Sequence, residues 1–160
     1  MTTSQRLLLD YVYEHEVKLA QHVYLTQPIG NGQVKEYTWA QVMNEARRMA
    51  THLQSIGLQR GDRVAMLSKN CAHFFIAELA IWMGGFTTVA IFPTEGASTI
   101  QYVLEHSESK AIFIGKLDPT WPEQEKGVPA SLKRIALPLG PTGPEAGERW
   151  DDIMAKAKPI

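Results

Sequence analysis

Residues 61–115 decide the fold, and they read GDRVAMLSKNCAHFFIAELAIWMGGFTTVAIFPTEGASTIQYVLEHSESKAIFIG. Short apolar runs that are typical of strands alternate in this stretch with segments that are typical of helices. The predicted strands are 63–68, 88–92, 111–115 and 134–137, and their starts lie about 24 residues apart, which is the length of a strand with its crossover connection. Because these strands are apolar on both faces, they predict a parallel sheet flanked by helices, and therefore an α/β fold.

Two predicted helices begin at capping-box sequences, in which a Ser or Thr and a Gln three residues later satisfy each other's backbone amides. The pairs are Thr38 with Gln41 and Ser98 with Gln101. The first of these helices ends at Gly57 and has a single apolar stripe, which predicts a helix on the surface. Its inward residues are Trp39, Val42, Met43, Ala46, Met49, Ala50, Leu53 and Ile56, and its outward residues are Asn44, Glu45, Arg47, Arg48 and Gln54.

The next helix, which we predict to begin after Asn70 as its cap, is apolar on nearly every side. Its apolar residues are Phe74, Phe75, Ile76, Leu79, Ile81, Trp82 and Met83. A helix of this kind requires burial all round. Because the helices of a 160-residue α/β chain lie on its outside, we expect that additional polypeptide covers this helix.

An amino-terminal β-hairpin is predicted before the sheet. Residues 23–27 and 33–38 flank Gly30, Asn31 and Gly32, and glycine and asparagine tolerate the positive φ that tight hairpin turns need. A helix over residues 4–18 precedes the hairpin in this prediction. Its inward residues are Leu8, Tyr11, Val12 and His15.

The chain is predicted to consist of three parts. Residues 1–137 form one subdomain, and residues 138–149, PLGPTGPEAGER, form an exposed loop rich in Pro and Gly. Such a loop has no apolar periodicity and contains several residues that end helices and strands. A short helix within residues 150–160 follows it.

The composition argues against several classes of protein. Lys and Arg number 16 against 17 Asp and Glu, for a net charge of −1, so no overall field favours nucleic acid. The apolar segment 71–83 is shorter than the roughly 20 residues of a membrane crossing. No secretory signal is recognisable at the amino end, and we expect a cytoplasmic protein. The single cysteine, Cys71, leaves no internal disulfide and is interpreted as a core residue.

The motifs of the common catalytic and binding chemistries do not occur in this sequence. Its five histidines form no H-x-x-x-H or H-E-x-x-H pair, so no metal site is predicted. Its glycine clusters match neither G-x-x-x-x-G-K-[ST] nor G-x-G-x-x-G. We interpret His73 as a hydrogen-bonded core or interface residue, and Arg47 with Arg48 as a solvent-facing pair rather than an anion site. No catalytic, cofactor-binding or metal-ligating residue is assigned.

Three segments together resemble the amino-terminal region of AMP-forming acyl-CoA synthetases. They are YTWAQVMNEARRMATHLQSIGLQRGDRVAMLSKN at 37–70, IAELAIWMGGFTTVAIFPT at 76–94 and YVLEHSESKAIFIG at 102–115. The resemblance extends over residues 11–115 and, more loosely, over 150–156. The tetrapeptide IFPT at 91–94 is more similar to the long-chain fatty acyl branch than to the acetate branch.

The resemblance implies a parent enzyme that uses ATP and Mg²⁺ to convert a fatty carboxylate into an acyl-adenylate, and then transfers the acyl group to CoA. In this family the phosphate loop, the acidic ribose ligand and the catalytic lysine all follow the region seen here. The resemblance therefore implies part of a larger amino-terminal domain, a scaffold without catalytic activity of its own. The remainder of the same enzyme would be its partner, and the cofactors would belong to the parent.

Residues 68–70 and 92–94 follow two of the predicted strands, and ligands of open α/β sheets lie at this edge. Pro93 and Thr94 either approach the acyl or CoA channel of the complete enzyme or form a rigid strand-to-helix turn.

Two alternatives remain open at this stage. A free-standing interaction module would reuse the fold and bind a partner through the apolar helix at 74–83. A fatty acyl-AMP ligase or another adenylate-forming synthetase would share the same segments. In either case we expect exposed apolar surface and some self-association of the chain.

Overall fold

Helices and strands alternate along most of the chain in the computed structural model, which describes residues 4–117 and 119–160. The helices are α1 (Leu8–Lys18), α2 (Trp39–Ser55), α3 (Ala72–Met83), α4 (Ala97–His106), α5 (Trp121–Gln124) and α6 (Trp150–Lys156). The strands are β1 (Val23–Gly30), β2 (Gln33–Thr38), β3 (Arg63–Leu67), β4 (Thr87–Ile91), β5 (Ala111–Ile114), β6 (Lys133–Ala136) and β7 (Glu148–Arg149).

The last five strands form one parallel sheet with the order β4-β3-β5-β6-β7. Later strands therefore lie on both sides of β3, as in a doubly wound α/β sheet. The strand residues alternate between two apolar cores. Val64 and Met66 of β3 belong to the core that contains α2, α3 and α6, whereas Ala65 and Leu67 belong to the core of α4 and α5. The predicted α/β fold, with a parallel sheet covered on both faces, is confirmed.

The amino-terminal hairpin is also confirmed. Strands β1 and β2 pair in antiparallel fashion, and both residues of their turn, Asn31 and Gly32, have positive φ, at 54° and 72°. The capping box of α2 is present as predicted. The amide of Gln41 donates to the Thr38 hydroxyl at 3.2 Å, and the Gln41 side-chain oxygen accepts from the Thr38 amide at 2.8 Å.

The capping box predicted for α4 is wrong. This helix begins one residue before Ser98, with Gly96 at the N-cap position and no side-chain cap. Its first turn is closed by a bond from the Ile100 amide to the Gly96 carbonyl at 3.0 Å. Ser98 therefore lies inside the helix, and Gln101 donates to Glu105 instead.

The predicted cap of α3 is wrong as well. Cys71, rather than Asn70, occupies the N-cap position, and it provides no side-chain hydrogen bond. The amide of Ala72 instead donates to the side-chain oxygen of Gln27 at 2.7 Å, and Gln27 lies on β1. A residue 45 positions away in sequence thus satisfies a helix end that the local sequence leaves open.

Helix α3 is covered mostly by this chain itself, contrary to the expectation that other polypeptide must cover it. Seven of its residues are buried, and Phe74, Trp82 and Met83 are partly buried against the same core. The covering layer contains α2, α1 and β1. Only Phe75 among its large apolar residues is exposed, at 42%. The expectation failed because the amino-terminal helix and hairpin form a second layer over α3.

Helix α1 begins at Leu8, and its inward face differs from the prediction. Leu9, Val12 and Tyr13 pack against the core, whereas Leu8, Tyr11 and His15 are exposed. The reason is an ion pair with α2. Arg47 donates to both carboxylate oxygens of Glu16 at 3.2 and 2.6 Å, which fixes the rotation of α1 on α2.

The two arginines of α2 are therefore not the predicted solvent-facing pair. Arg47 binds Glu16, and Arg48 donates to the Asn44 side chain at 2.8 Å and to the Ala157 carbonyl at 2.5 Å. Both guanidinium groups are partly buried and hold other elements against α2.

The stretch 138–149 is more structured than an exposed loop. Ala146 is fully buried, and β7 pairs with β6. Gly147 has a φ of +93°, and a Cβ there would lie 2.1 Å from the Arg134 carbonyl oxygen. The predicted short helix follows as α6. The division at 137 and 149 stays a prediction, and residues 1–3 and 118 of the first part lie outside the described residues.

The apolar surface that the sequence predicted is concentrated on the amino-terminal layer and the adjoining turn of α3. Its exposed large apolar residues are Leu7, Leu8, Tyr11, Val17, Val23, Ile29, Val34 and Phe75. Self-association of the chain through this surface stays a prediction. No helix in the described ranges combines the length and the hydropathy that a membrane crossing requires.

Candidate functional site

Open α/β sheets bind ligands at the carboxyl edge of the sheet, so a site in this chain is expected there. In such sheets the ligand crevice lies between two neighbouring strands whose following crossover connections run on opposite faces of the sheet. In this chain α3, which follows β3, packs on one face, and α5, which follows β5, packs on the other, so the switch point lies between β3 and β5. Residues 68–70 and 92–94 are at this edge, as the sequence predicted.

Ser68 joins the two loops at the switch point. Its hydroxyl accepts a hydrogen bond from the Lys116 amide at 2.9 Å and donates to the Lys69 carbonyl at 2.7 Å. The Lys69 amide in turn donates to the Lys116 carbonyl at 2.7 Å. The Ser68 side chain also fills the space beside Gly115, where a Cβ would lie 2.2 Å from its oxygen. The crevice between β3 and β5 is therefore closed by the chain's own atoms.

The connection from β4 to α4 is a tight turn. The Glu95 amide donates to the Phe92 carbonyl at 3.1 Å, and Pro93 has the position that turns of this kind favour. Gln124 of α5, which is 2% exposed, donates to the carbonyls of Pro93 at 2.7 Å and Glu95 at 3.0 Å. These contacts are those of a rigid strand-to-helix turn. Thr94 is exposed, and Phe92 is 75% exposed.

A shallow cavity of about 180 Å³ lies beside this turn. Its lining includes the rings of Phe74 and Phe92, and its polar side chains are those of Ser68 and Asn70. Neither is charged, and the Ser68 hydroxyl is already engaged. The cavity suits contact with an apolar group, and it offers no charged group that would grip a phosphate.

A buried polar network connects α2, α3 and α6. One carboxylate oxygen of Glu45 accepts hydrogen bonds from Trp150 Nε1 at 2.8 Å and from His73 Nε2 at 3.0 Å. The His73 ring also meets the rings of Tyr37 and Trp150 edge to face. The interpretation of His73 as a hydrogen-bonded core residue is confirmed. The prediction that Glu45 faces outward is wrong, because its carboxylate points toward its two donors, His73 and Trp150, and is partly buried.

The environment of Glu45 sets its ionisation. Burial by itself raises the pKa of this carboxyl, but the hydrogen bond and charge of His73 and the indole N–H of Trp150 oppose that effect. Their combined influence holds the pKa of Glu45 below its ordinary value of 4.5. Because an ionised carboxylate only accepts hydrogen bonds, the proton of His73 lies on Nε2. The network stabilises the fold by joining three helices.

Cys71 is buried within the same core, at 7% exposure, and its sulfur lies 3.8 Å from the Ser68 hydroxyl. Its predicted role as a core residue is confirmed. Among residues 4–117 and 119–160, no cluster of three or more His, Cys, Asp or Glu side chains has the arrangement of a metal site.

Sequence reasoning missed two buried glutamines that hold the edge in place. Gln27 satisfies the start of α3, and Gln124 fixes the turn after β4. Their partners are 45 and 31 residues away in sequence, and neither glutamine belongs to a recognisable motif. No local signal in the sequence identifies them.

Comparisons with known proteins agree with this architecture. A family model described as AMP-binding enzyme matches residues 14–152. A long-chain-fatty-acid–CoA ligase of Mycobacterium bovis is 30% identical over 148 residues, which cover 92% of this chain and 24% of that protein. The mitochondrial medium-chain acyl-CoA ligase of Rattus norvegicus is 34% identical over 110 residues, which cover 62% of this chain and 18% of that protein. The chain thus spans about a quarter or less of the length of these relatives.

Two solved structures share the fold. An anthranilate CoA ligase in complex with anthranoyl-AMP superposes with a TM-score of 0.77 at 20% identity. A benzoate CoA ligase from Burkholderia xenovorans superposes with a TM-score of 0.75 at 17% identity. Each match covers 94% of this chain and 28% of the solved chain. At these identities the match shows the fold alone.

Proposed function

This chain belongs to the AMP-binding enzyme family, and we propose that it is the amino-terminal scaffold of an AMP-forming acyl-CoA ligase. In this proposal the parent enzyme activates a fatty carboxylate with ATP and Mg²⁺ to an acyl-adenylate and transfers the acyl group to CoA. The chain itself is catalytically inactive and acts in the cytoplasm together with the remainder of the same enzyme. The relatives named above support the fatty acyl class of substrate.

The observation that carries the scaffold role is the closed switch point. Ser68 and Lys116 tie the loops after β3 and β5 to each other, at the place where doubly wound sheets leave room for a nucleotide. The hydroxyl and amides that would have to turn toward a phosphate are hydrogen-bonded within the chain. In this proposal the edge supports neighbouring polypeptide and binds no nucleotide itself.

ATP and Mg²⁺ do not fit the side chains that line the cavity at this edge. Phosphate binding needs a cradle of free amides or fixed cations, and Mg²⁺ needs oxygen ligands from carboxylates. The cavity at the edge offers one engaged hydroxyl and the neutral amide of Asn70. We therefore assign no step of the reaction to residues of this chain.

The turn after β4 is the part of the scaffold that we place closest to the acyl or CoA channel of the parent. Its backbone is fixed by Gln124, and the ring of Phe92 and the side chain of Thr94 project from it as exposed groups. A rigid turn that presents an exposed aromatic ring suits contact with an apolar chain.

A pyrophosphate-release assay tests the scaffold role. The 160-residue chain, supplied with ATP, Mg²⁺, CoA and fatty acids of several lengths, should release no pyrophosphate above a protein-free blank. The full-length protein encoded by the gene should do so under the same conditions. Turnover by the isolated chain at about 1 s⁻¹ or faster, the lower range of ordinary enzymes, would overturn the proposal.

The same assay separates the two ligase classes. If the full-length protein forms acyl-adenylate but no acyl-CoA when CoA is present, the parent is a fatty acyl-AMP ligase. An immediate stop codon after Ile160 in the gene, together with inactivity, would instead favour a free-standing module.

Substitution of Thr94 by Val in the full-length protein tests the placement of the turn. We expect kcat/KM to change unequally for fatty acids of different chain lengths, while the stability of the protein stays the same because Thr94 is exposed. Unchanged kinetics for every chain length would show that the turn is structural only.

A further inference from the structure

A second cavity lies between α1, β1 and α3, and it shares no residue with the cavity at the carboxyl edge. Its volume is about 350 Å³, which is within the range of small-molecule sites. Aromatic side chains dominate the lining. They are Tyr11, Tyr24, Phe75 and Trp82, and the Tyr24 ring is stacked on Trp39 with centroids 3.7 Å apart. We call this cavity the aromatic groove.

Glu78 of α3 supplies the carboxylate of the aromatic groove. Within residues 4–117 and 119–160 it forms no hydrogen bond or ion pair with another side chain. Burial raises the pKa of this carboxyl above its ordinary value of 4.5. A carboxylate that is partly desolvated and lacks a donor is costly unless a cation joins it.

The elements that line the groove do not provide that cation. Helix α3 and strand β1 contain neither Lys nor Arg. Lys18 of α1 and Arg6, which precedes α1, both bind the Glu14 carboxylate, and they hold the pKa of Glu14 at about 2. The Arg6 guanidinium also lies over the Tyr11 ring, 4.0 Å from its centroid, and it forms no bond with Glu78. The imidazole of His15 also lines the groove, but it forms no bond with Glu78. A cation that pairs with Glu78 therefore has to come from a separate molecule.

We propose that the aromatic groove binds a small organic cation, with an ammonium group at Glu78 and an apolar body against the surrounding rings. Aromatic faces attract cations, and they do so more strongly when the site is partly desolvated. The ammonium group would donate to the carboxylate in a charge-assisted hydrogen bond. An aryl- or alkylammonium of about ten heavy atoms matches the volume and the lining.

The negative charge of Glu78 also disfavours other classes of ligand in the aromatic groove. A fatty carboxylate would place a second negative charge beside Glu78 in a partly desolvated groove, so the groove is not suited to the acyl substrate of the proposed parent. A purely apolar ligand would leave the carboxylate without a partner.

A matched pair of ligands tests the proposal on the 160-residue chain. Phenethylammonium and phenethyl alcohol have nearly the same shape and differ in charge. By calorimetry at pH 7 we expect the ammonium to bind about tenfold more tightly than the alcohol. Glu78→Gln should remove this difference. Glu36→Gln, an exposed control on β2 that lines a different cavity of similar volume, should preserve it.

Amide chemical shifts locate the ligand independently of any variant. Titration with phenethylammonium should shift the amides around Phe75, Glu78 and Trp82 in the unchanged chain. The proposal is overturned if both ligands bind equally, if Glu78→Gln leaves the difference intact, or if the shifts lie elsewhere. It is also overturned if neither ligand binds at about 10 mM, a weaker affinity than specific sites show, or if only a Lys- or Arg-containing peptide binds.

Discussion

Two partly buried glutamates lie on the packed helices α2 and α3, and they differ in the partners that the chain gives them. Glu45 accepts hydrogen bonds from His73 and Trp150, whereas Glu78 lies in the aromatic groove without a donor. Burial raises the pKa of both carboxyls. The donors outweigh burial at Glu45, so its pKa lies below 4.5, whereas the pKa of Glu78 lies above that value.

The difference shows that burial of a carboxylate does not by itself define its role. Glu45 has become part of the structure, because its carboxylate accepts hydrogen bonds from donors on two other helices. Glu78 imposes a cost on the same fold, since partial desolvation of an unpaired charge is unfavourable. A fold retains such a cost most readily where the group also serves for binding. The following experiments test this contrast.

The largest effect is expected from removal of the Glu45 side chain. Glu45→Ala leaves the buried N–H groups of His73 and Trp150 without an acceptor, and breaking a buried charged network costs about 3 kcal/mol. Urea unfolding at pH 7 should show a loss of this size in the free energy of unfolding. Gln54→Ala, on the exposed side of the same helix, should change it by less than about 0.5 kcal/mol. Equal losses of unfolding free energy in the two variants would show that Glu45 has no special structural role.

A smaller effect with a defined sign is expected from pH. Because the pKa of Glu45 is lowered on folding, its carboxylate stabilises the chain above about pH 4.5, and this contribution disappears as the pH falls through the pKa of the folded state. Wild type should be more stable than Glu45→Gln by about 1 kcal/mol at pH 7. The gap should narrow between pH 5 and pH 3. If the difference in stability between wild type and Glu45→Gln stays constant over this range, the negative charge of Glu45 does not contribute to stability.

The contrast between the two glutamates was not visible in the sequence. The strands from Arg63 to Ala136 and the capping box at Thr38 were predictable, because apolar runs and cap spacing are local patterns. Glu45 has its partners 28 and 105 residues away. A helical wheel places it beside the outward Asn44, and only the positions of α3 and α6 draw it into the core.

The same limit applies to the carboxyl edge. Strand ends predicted that 68–70 and 92–94 lie there, but the bond from the Lys116 amide to Ser68 depends on β5 being the neighbour of β3. Strand order is a property of the whole fold and has no local signature. For α3 the sequence correctly indicated burial, but it wrongly assigned the covering layer to other polypeptide. The docking of α1 involves residues that are distant in sequence, such as Glu16 and Arg47.

That pair provides a third carboxylate for the comparison. Glu16 is partly buried and accepts two hydrogen bonds from Arg47, so it has a donor within the chain, as Glu45 has and Glu78 lacks. Because both side chains are about one-quarter exposed, Arg47→Gln should lower the free energy of unfolding by only about 1 kcal/mol. A double-mutant cycle with Glu16→Gln should give a positive coupling energy. Lys133→Gln, an exposed control on β6, should have no measurable effect, and zero coupling in the cycle would mean that the ion pair does not position α1.

The smallest effect and the opposite sign are expected at Glu78. Since its pKa is raised on folding, the stabilisation associated with the protonated form is complete below about pH 4.5 and is lost as the pH rises through the folded pKa. Glu78→Gln keeps the neutral form at every pH, so it should be more stable than wild type by less than about 1 kcal/mol at pH 7 and equally stable at pH 4. Thermal unfolding at the two pH values measures this, with the exposed Glu36→Gln as the unchanged control. If Glu78→Gln proves less stable than wild type at pH 7, Glu78 has a partner within the chain, and both the contrast with Glu45 and the organic cation of the aromatic groove must be given up.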